Sequence, residues 1–158
     1  MSGARLTYLL ETLTAATTPP DSILTDTNAL PARVKRYFGA LDTLDADAAA
    51  SFFASSATVR LPGLPPILGR TAIRRALVQF LLTVDDLRHA PVQLWTGVGL
   101  SVFEADMTLT LADRTTLVFP VTHIIRWVDG LIAEARVNVY LESRMAVAIS
   151  AFDRRNSA

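Results

Sequence analysis

The spacing of apolar residues changes once along the chain, and that change sets the order of its elements. Up to about residue 84 the period is helical. Val34, Tyr37, Phe38, Leu41 and Leu44 trace one face of a helix that starts at Pro31, whose fixed φ suits a first turn. Asp45 is placed to cap a second, short helix over 45–54, with Phe52 and Phe53 turned inward. Residues 57–63 read as a strand ending in the turn LPGLPP. Thr71 is placed to cap a third helix, over 72–84, with Ile73, Ala76, Leu77, Phe80 and Leu81 on its buried side. Then the period becomes two. Segments 91–96, 100–111, 115–127 and 131–141 alternate, with breaks at Gly97–Gly99, Ala112–Arg114 and Asp129–Gly130. Three helices followed by hairpin-linked strands predict an α+β domain with helices on one face of a curved antiparallel sheet.

This domain is expected over 31–158. Residues 1–30 read as an N-terminal extension: a short amphipathic helix carrying Leu6, Leu9, Leu10 and Leu13, then a proline-containing linker. As an appendage, residues 1–28 are expected to be dispensable for folding. The tail after 142 is weakly helical and ends in a polar DRRNSA.

Composition narrows the function by exclusion. Lys and Arg balance Asp and Glu at 15 each, so the broad basic footprint of a nucleic-acid binder is missing. Without cysteine there is no thiolate metal site and no cysteine nucleophile. The two histidines, His89 and His123, do not have the spacing of a zinc site, and His89 reads as part of a loop. No glycine-rich phosphate loop or G-x-S-x-G elbow occurs. Glu11 interrupts the first apolar run, so the start does not read as a secretory signal, and no run is long enough to span a bilayer. The expectation is a cytoplasmic protein needing no cofactor or metal, with neither nucleic acid nor membrane as partner.

Four passages, VKRYFGALDTLDADAAASFFA, ATVRLPGLPPILGRTAIRRAL, SVFEADMTLTL and THIIRWVDGLIAEARV, together resemble the nuclear transport factor 2-like superfamily. Within it the resemblance is to the SnoaL-like polyketide cyclases, ketosteroid isomerases and limonene-epoxide hydrolases, over roughly residues 31–145. It implies a cone in which three helices and the sheet enclose an apolar pocket, usually in a homodimer, with a hydrophobic small molecule as substrate or ligand. Expected pocket-lining residues are Phe38, Phe53, Leu61, Phe80, Trp95, Phe119, Val121, Trp127 and Val137.

His123 shares parity with Leu117, Phe119, Val121, Ile125 and Trp127, an inward set. It is either a hydrogen-bonded core histidine or a general acid/base in the pocket, where burial would lower its pKa. By resemblance, Tyr37 matches the oxyanion-stabilising tyrosine of the isomerases, His123 falls where they place a second donor, and their general base falls at Leu61. By resemblance to the epoxide hydrolases, Asp106 is the candidate water activator, but one register step on strand 100–111 exchanges Glu104 and Asp106 for Ala105 and Met107. Their third position falls at Val137.

These residues imply a cofactor-independent enzyme acting on a hydrophobic cyclic small molecule, an isomerase or cyclase that abstracts a proton next to a carbonyl. The catalytic set would be His123 and Tyr37. The alternatives are an epoxide hydrolase or epoxide-opening cyclase built on Asp106, and a non-catalytic binding or assembly module.

Overall fold

The computed structural model describes residues 22–24 and 31–139; the helix expected over 4–16 and the tail after 142 lie outside the described residues. The three helices expected between residues 31 and 84 are present. Helix α1 spans Ala32–Asp42 and buries Val34, Tyr37, Phe38, Ala40 and Leu41 on one face. Helix α2, Ala46–Ser51, is capped by Asp45, whose carboxylate accepts from the Ala48 amide at 2.9 Å. It stops short of the expected end at 54, because Phe53 leaves the helix to pair with Ile132 at the start of strand β2, Phe53–Arg60. Helix α3, Arg70–Leu81, is entered through Gly69 at φ 83° and not through a Thr71 cap. At that φ any L side chain is strained, and a Cβ there would sit 3.4 Å from the Ser55 carbonyl.

Among the described residues the strands form one seven-stranded sheet, in the order β1 (Ser22–Leu24), β4 (Val84–Gly97), β5 (Leu100–Leu111), β6 (Thr116–Val128), β7 (Leu131–Val139), β2 and β3 (Ile67–Leu68). Strands β4, β5, β6 and β7 are the expected meander. The β6–β7 turn has both Asp129 and Gly130 at positive φ, 51° and 78°, as a two-residue hairpin loop with native twist requires.

Two features depart from the sequence reading. The sheet is mixed, because β2 joins β7 in parallel and carries the two-residue β3 (Ile67–Leu68) on its far side. The stretch read as a linker also contributes a strand: β1, Ser22–Leu24, pairs antiparallel with Leu94–Thr96 at the other edge. At least these three residues belong to the sheet and are not spacer.

Inward side chains of β4–β7 and the buried faces of the helices form one core around Phe53, Phe103, Ile73, Leu94, Ile125 and Ile132. The core is interrupted by a cavity of about 670 Å³ between the sheet and the helices.

Candidate active site

The cavity wall is almost wholly apolar. Leu61, Pro62, Leu64 and Ile67 of the β2–β3 region, Leu77 and Phe80 of α3, and Leu109, Phe119 and Val137 of the sheet supply much of it. Among the described residues no Asp, Glu, Lys or Arg lines it. The titratable groups that the described residues bring to it are Tyr37, His89 and His123. Polar atoms set in such a wall fix a ligand's orientation, since water competes poorly for them.

Tyr37 comes from the buried face of α1 and packs edge-on against Phe38, Phe52 and Phe53, with ring centroids 5.0–5.7 Å apart. Burial pushes its phenol well above the ordinary tyrosine value, so the hydroxyl keeps its proton and remains a donor. His123 stands on the inward face of β6, opposite Phe103 on β5 and Val137 on β7. Its ring is 4.8 Å from that of Phe38 and 5.3 Å from that of His89. Burial, followed by the charge of His89, lowers its pKa to about 3. His123 is therefore a neutral imidazole at any physiological pH. Among the described residues its Nε2 is the one sealed side-chain nitrogen or oxygen without a hydrogen-bond partner.

The residue that sequence reasoning missed is His89. It lies not in a loop but on β4, opposite Met107, with 7% of its surface exposed. Its Nδ1 is 2.6 Å from Oδ1 of Asp42, and its backbone N–H donates to Oδ2 of the same carboxylate at 3.2 Å. Asp42, the last residue of α1, was missed as well. The available signal was the pair Leu87 and His89, which alternate inward with exposed Arg88 and Ala90 around them. Asp85, Asp86 and Pro91 look like strand breakers, and the ladder accommodates them with register shifts at Val84/Asp86 and Pro91/Gln93.

Other expected site residues separate. Phe53, Leu61, Phe80, Phe119 and Val137 line the cavity. Phe38 and Val121 are buried without lining it; Phe38 stacks on Phe103 at 4.3 Å and touches both imidazoles. Trp127 is buried elsewhere in the core, its indole N–H donating to Ser101 Oγ at 3.1 Å and Arg33 lying over its ring. Trp95, half-buried opposite Val102, is on the outer face of the sheet.

Asp106 is outside too. The register sets Ala105 and Met107 inward, so Asp106 is exposed between Ala90 and Pro120. It has no access to the cavity and cannot activate a water there. Among the described residues no three His, Cys, Asp or Glu side chains are grouped to hold a metal ion.

The fold is shared with solved structures at low identity. A protein from Catenulispora acidiphila with a ketosteroid isomerase-like fold, in complex with trimethylamine, is similar with a TM-score of 0.67 and 16% identity, over 73% of this chain and 91% of that one. An epoxide hydrolase of the limonene-epoxide hydrolase-like type from M. tuberculosis gives 0.61 and 17%, over 68% and 80%. The epoxide hydrolase/cyclase-like enzyme SalBIII, with a role in pyran ring formation in salinomycin, gives 0.62 and 21%, over 69% and 88%. No curated protein matches by sequence. The profile of the SnoaL-like domain, however, matches residues 34–135, from the buried face of α1 to the inward face of β7. The chain belongs to the SnoaL-like domain family.

Proposed function

We propose that the cavity is the active site of a cofactor-independent enzyme that abstracts a proton next to a carbonyl in a hydrophobic, cyclic small molecule, so isomerising it or closing a ring. The observation that carries this reading is the grouping of one phenol and two imidazoles as the titratable groups of an otherwise apolar cavity. Tyr37, held protonated, donates to the oxygen where enolate charge develops, and water is largely excluded around it. An imidazole accepts the proton. The epoxide-hydrolase alternative has less support, because Asp106 faces outward and no carboxylate among the described residues lines the cavity.

Exchange of the α-protons of 2-tetralone into heavy water, followed by NMR, tests the reading. The protein should accelerate exchange, and Tyr37→Phe should lower that acceleration by about 10²-fold. Exchange no faster than in buffer would turn the reading toward a binding module.

The proposed setting is a cytoplasmic homodimer. No helix among the described residues is long and apolar enough to cross a membrane. On the outer sheet face Arg60, Arg126 and Arg136 surround Glu134 on one side, while Glu104 and Asp106 lie on β5. Val118, Pro120, Thr122 and Ile124 of β6 run between them. A two-fold axis through β6 would set the arginines of one copy over the acids of the other. Light scattering at micromolar concentration should give a dimer mass, reduced toward the monomer by Arg136→Glu. A monomer mass for the unaltered protein would end this proposal.

A further inference from the structure

Asp42 stands where a helix tolerates a carboxylate least. It is the last residue of α1, at the negative end of the helix dipole, and no basic residue accompanies it in the last turn. Its two oxygens are both directed to one residue, Oδ1 to the ring Nδ1 of His89 and Oδ2 to the His89 backbone N–H. Residues that break a local rule at a cost tend to be held there by function.

The pairing also fixes the chemistry of the ring. An ionised carboxylate can only accept, so in the neutral form of His89 the ring proton is on Nδ1 and Nε2 keeps its lone pair. The side chain of His89 is 3% exposed and lines the cavity. Among the described residues no hydrogen bond reaches its Nε2, and the one sealed nitrogen without a partner is that of His123. The Nε2 of His89 therefore opens on the cavity. Among the described residues no carboxylate pairs with His123, and its ring stands neutral beside that of His89.

We infer that Asp42 and His89 are the proton-transfer couple of this cavity, with His89 Nε2 the catalytic base and Asp42 its positioning residue. His123, expected from the sequence to be the acid/base, is in this assignment a neutral wall beside the base. The inference rests on the proposed function, whose reaction it makes specific. The Nε2 lone pair forms an N–H bond with the α-proton. The C–H electron pair becomes the enolate double bond, and the carbonyl π pair moves to the oxygen, which accepts from Tyr37. The imidazolium, facing Asp42, then returns its proton to carbon elsewhere in the enolate. Protons and electrons balance without a co-reactant. Positioning groups of this kind hold the tautomer and orientation of a histidine.

The test has two arms, both on the full chain. In the substrate-free protein, ¹⁵N spectra of the His89 ring should show Nδ1 protonated and Nε2 bare, and Asp42→Leu should abolish that preference. With 2-tetralone in heavy water, His89→Gln should slow exchange about 10²-fold. Asp42→Asn should slow it about 10-fold or more at saturation without raising the concentration needed for half saturation. His123→Phe alters the cavity wall and should slow exchange, but by much less than His89→Gln does. A ring proton on Nε2 would overturn the couple whatever the exchange rate. So would a His89→Gln variant as fast as the original protein, and loss of exchange in His123→Phe alone would return the base to His123. If the unaltered protein does not exchange the ketone while the His89 spectrum is as expected, the enolisation chemistry fails and the couple is a binding feature.

Discussion

The carboxylates of Glu134 and Asp42 hold their nitrogen partners on opposite sides of the same sheet. Glu134 faces outward and is contacted by Arg60 at 3.1 Å, Arg136 at 3.0 Å and Arg126 at 3.4 Å. Asp42 faces the core side and has one partner, His89, held through two contacts. By count of ion pairs Glu134 looks the more important. By physics it is not, because its arginines are half exposed or more and each exchanges water for an ion at little gain. The Asp42 contacts reach a ring almost wholly removed from water, so losing them strands donors inside the protein. What distinguishes the two is the dielectric on the partner's side.

The largest stability effect is therefore expected from Asp42→Ala. It removes the acceptor of both the His89 ring and its backbone N–H, which should cost about 2–3 kcal/mol, read by urea unfolding. Adding His89→Phe should recover part of that loss, since the stranded ring donor then disappears. A single variant that unfolds at the original urea concentration would break the comparison.

Next in size is a pH effect at His123. Its folded pKa of about 3 lies far below the unfolded value near 6.5, so between these limits the unfolded chain binds the extra proton. Stability must fall as the pH drops through this window, by about 2 kcal/mol at about pH 5. His123→Leu should flatten this part of the acid limb and leave neutral-pH stability much less affected. An unchanged acid limb in that variant would show that the ring gains a proton in the folded protein, against its dry surroundings.

The same contrast explains what could be read in the sequence. Features fixed by neighbours in the chain were legible: the Asp45 cap, the Asp129–Gly130 turn, the inward parity of Phe119, Val121 and His123. Features fixed by strand register were not. Asp106 was undetermined until pairing with β4 and β6 set Ala105 and Met107 inward. The Asp42–His89 pair spans 47 residues, joins a helix end to a strand with two register shifts, and leaves no periodic trace. The fold was carried by periodicity, but the site was carried by one long-range contact.

The smallest expected effect is at Glu134, and it sharpens the comparison most. Arg136 and then Arg60 hold its carboxyl below the usual range through hydrogen bonds, so it is ionised at neutral pH. Glu134→Gln leaves three arginines side by side, but each is open to water and counterions. The loss should stay below about 1 kcal/mol in dilute buffer and shrink further in salt, because exposed charges are screened within a Debye length. If the outer face is buried against a second copy, Glu134 is no longer at a water-exposed surface. Its arginines then need it to offset their own desolvation, and the loss should grow with protein concentration as the dimer forms. A salt-sensitive, concentration-independent loss of a few tenths of a kcal/mol would keep Glu134 a surface residue and count against the sheet-face dimer. A loss of several kcal/mol at high concentration would place both carboxylates in the same class, one inside the subunit and the other between subunits.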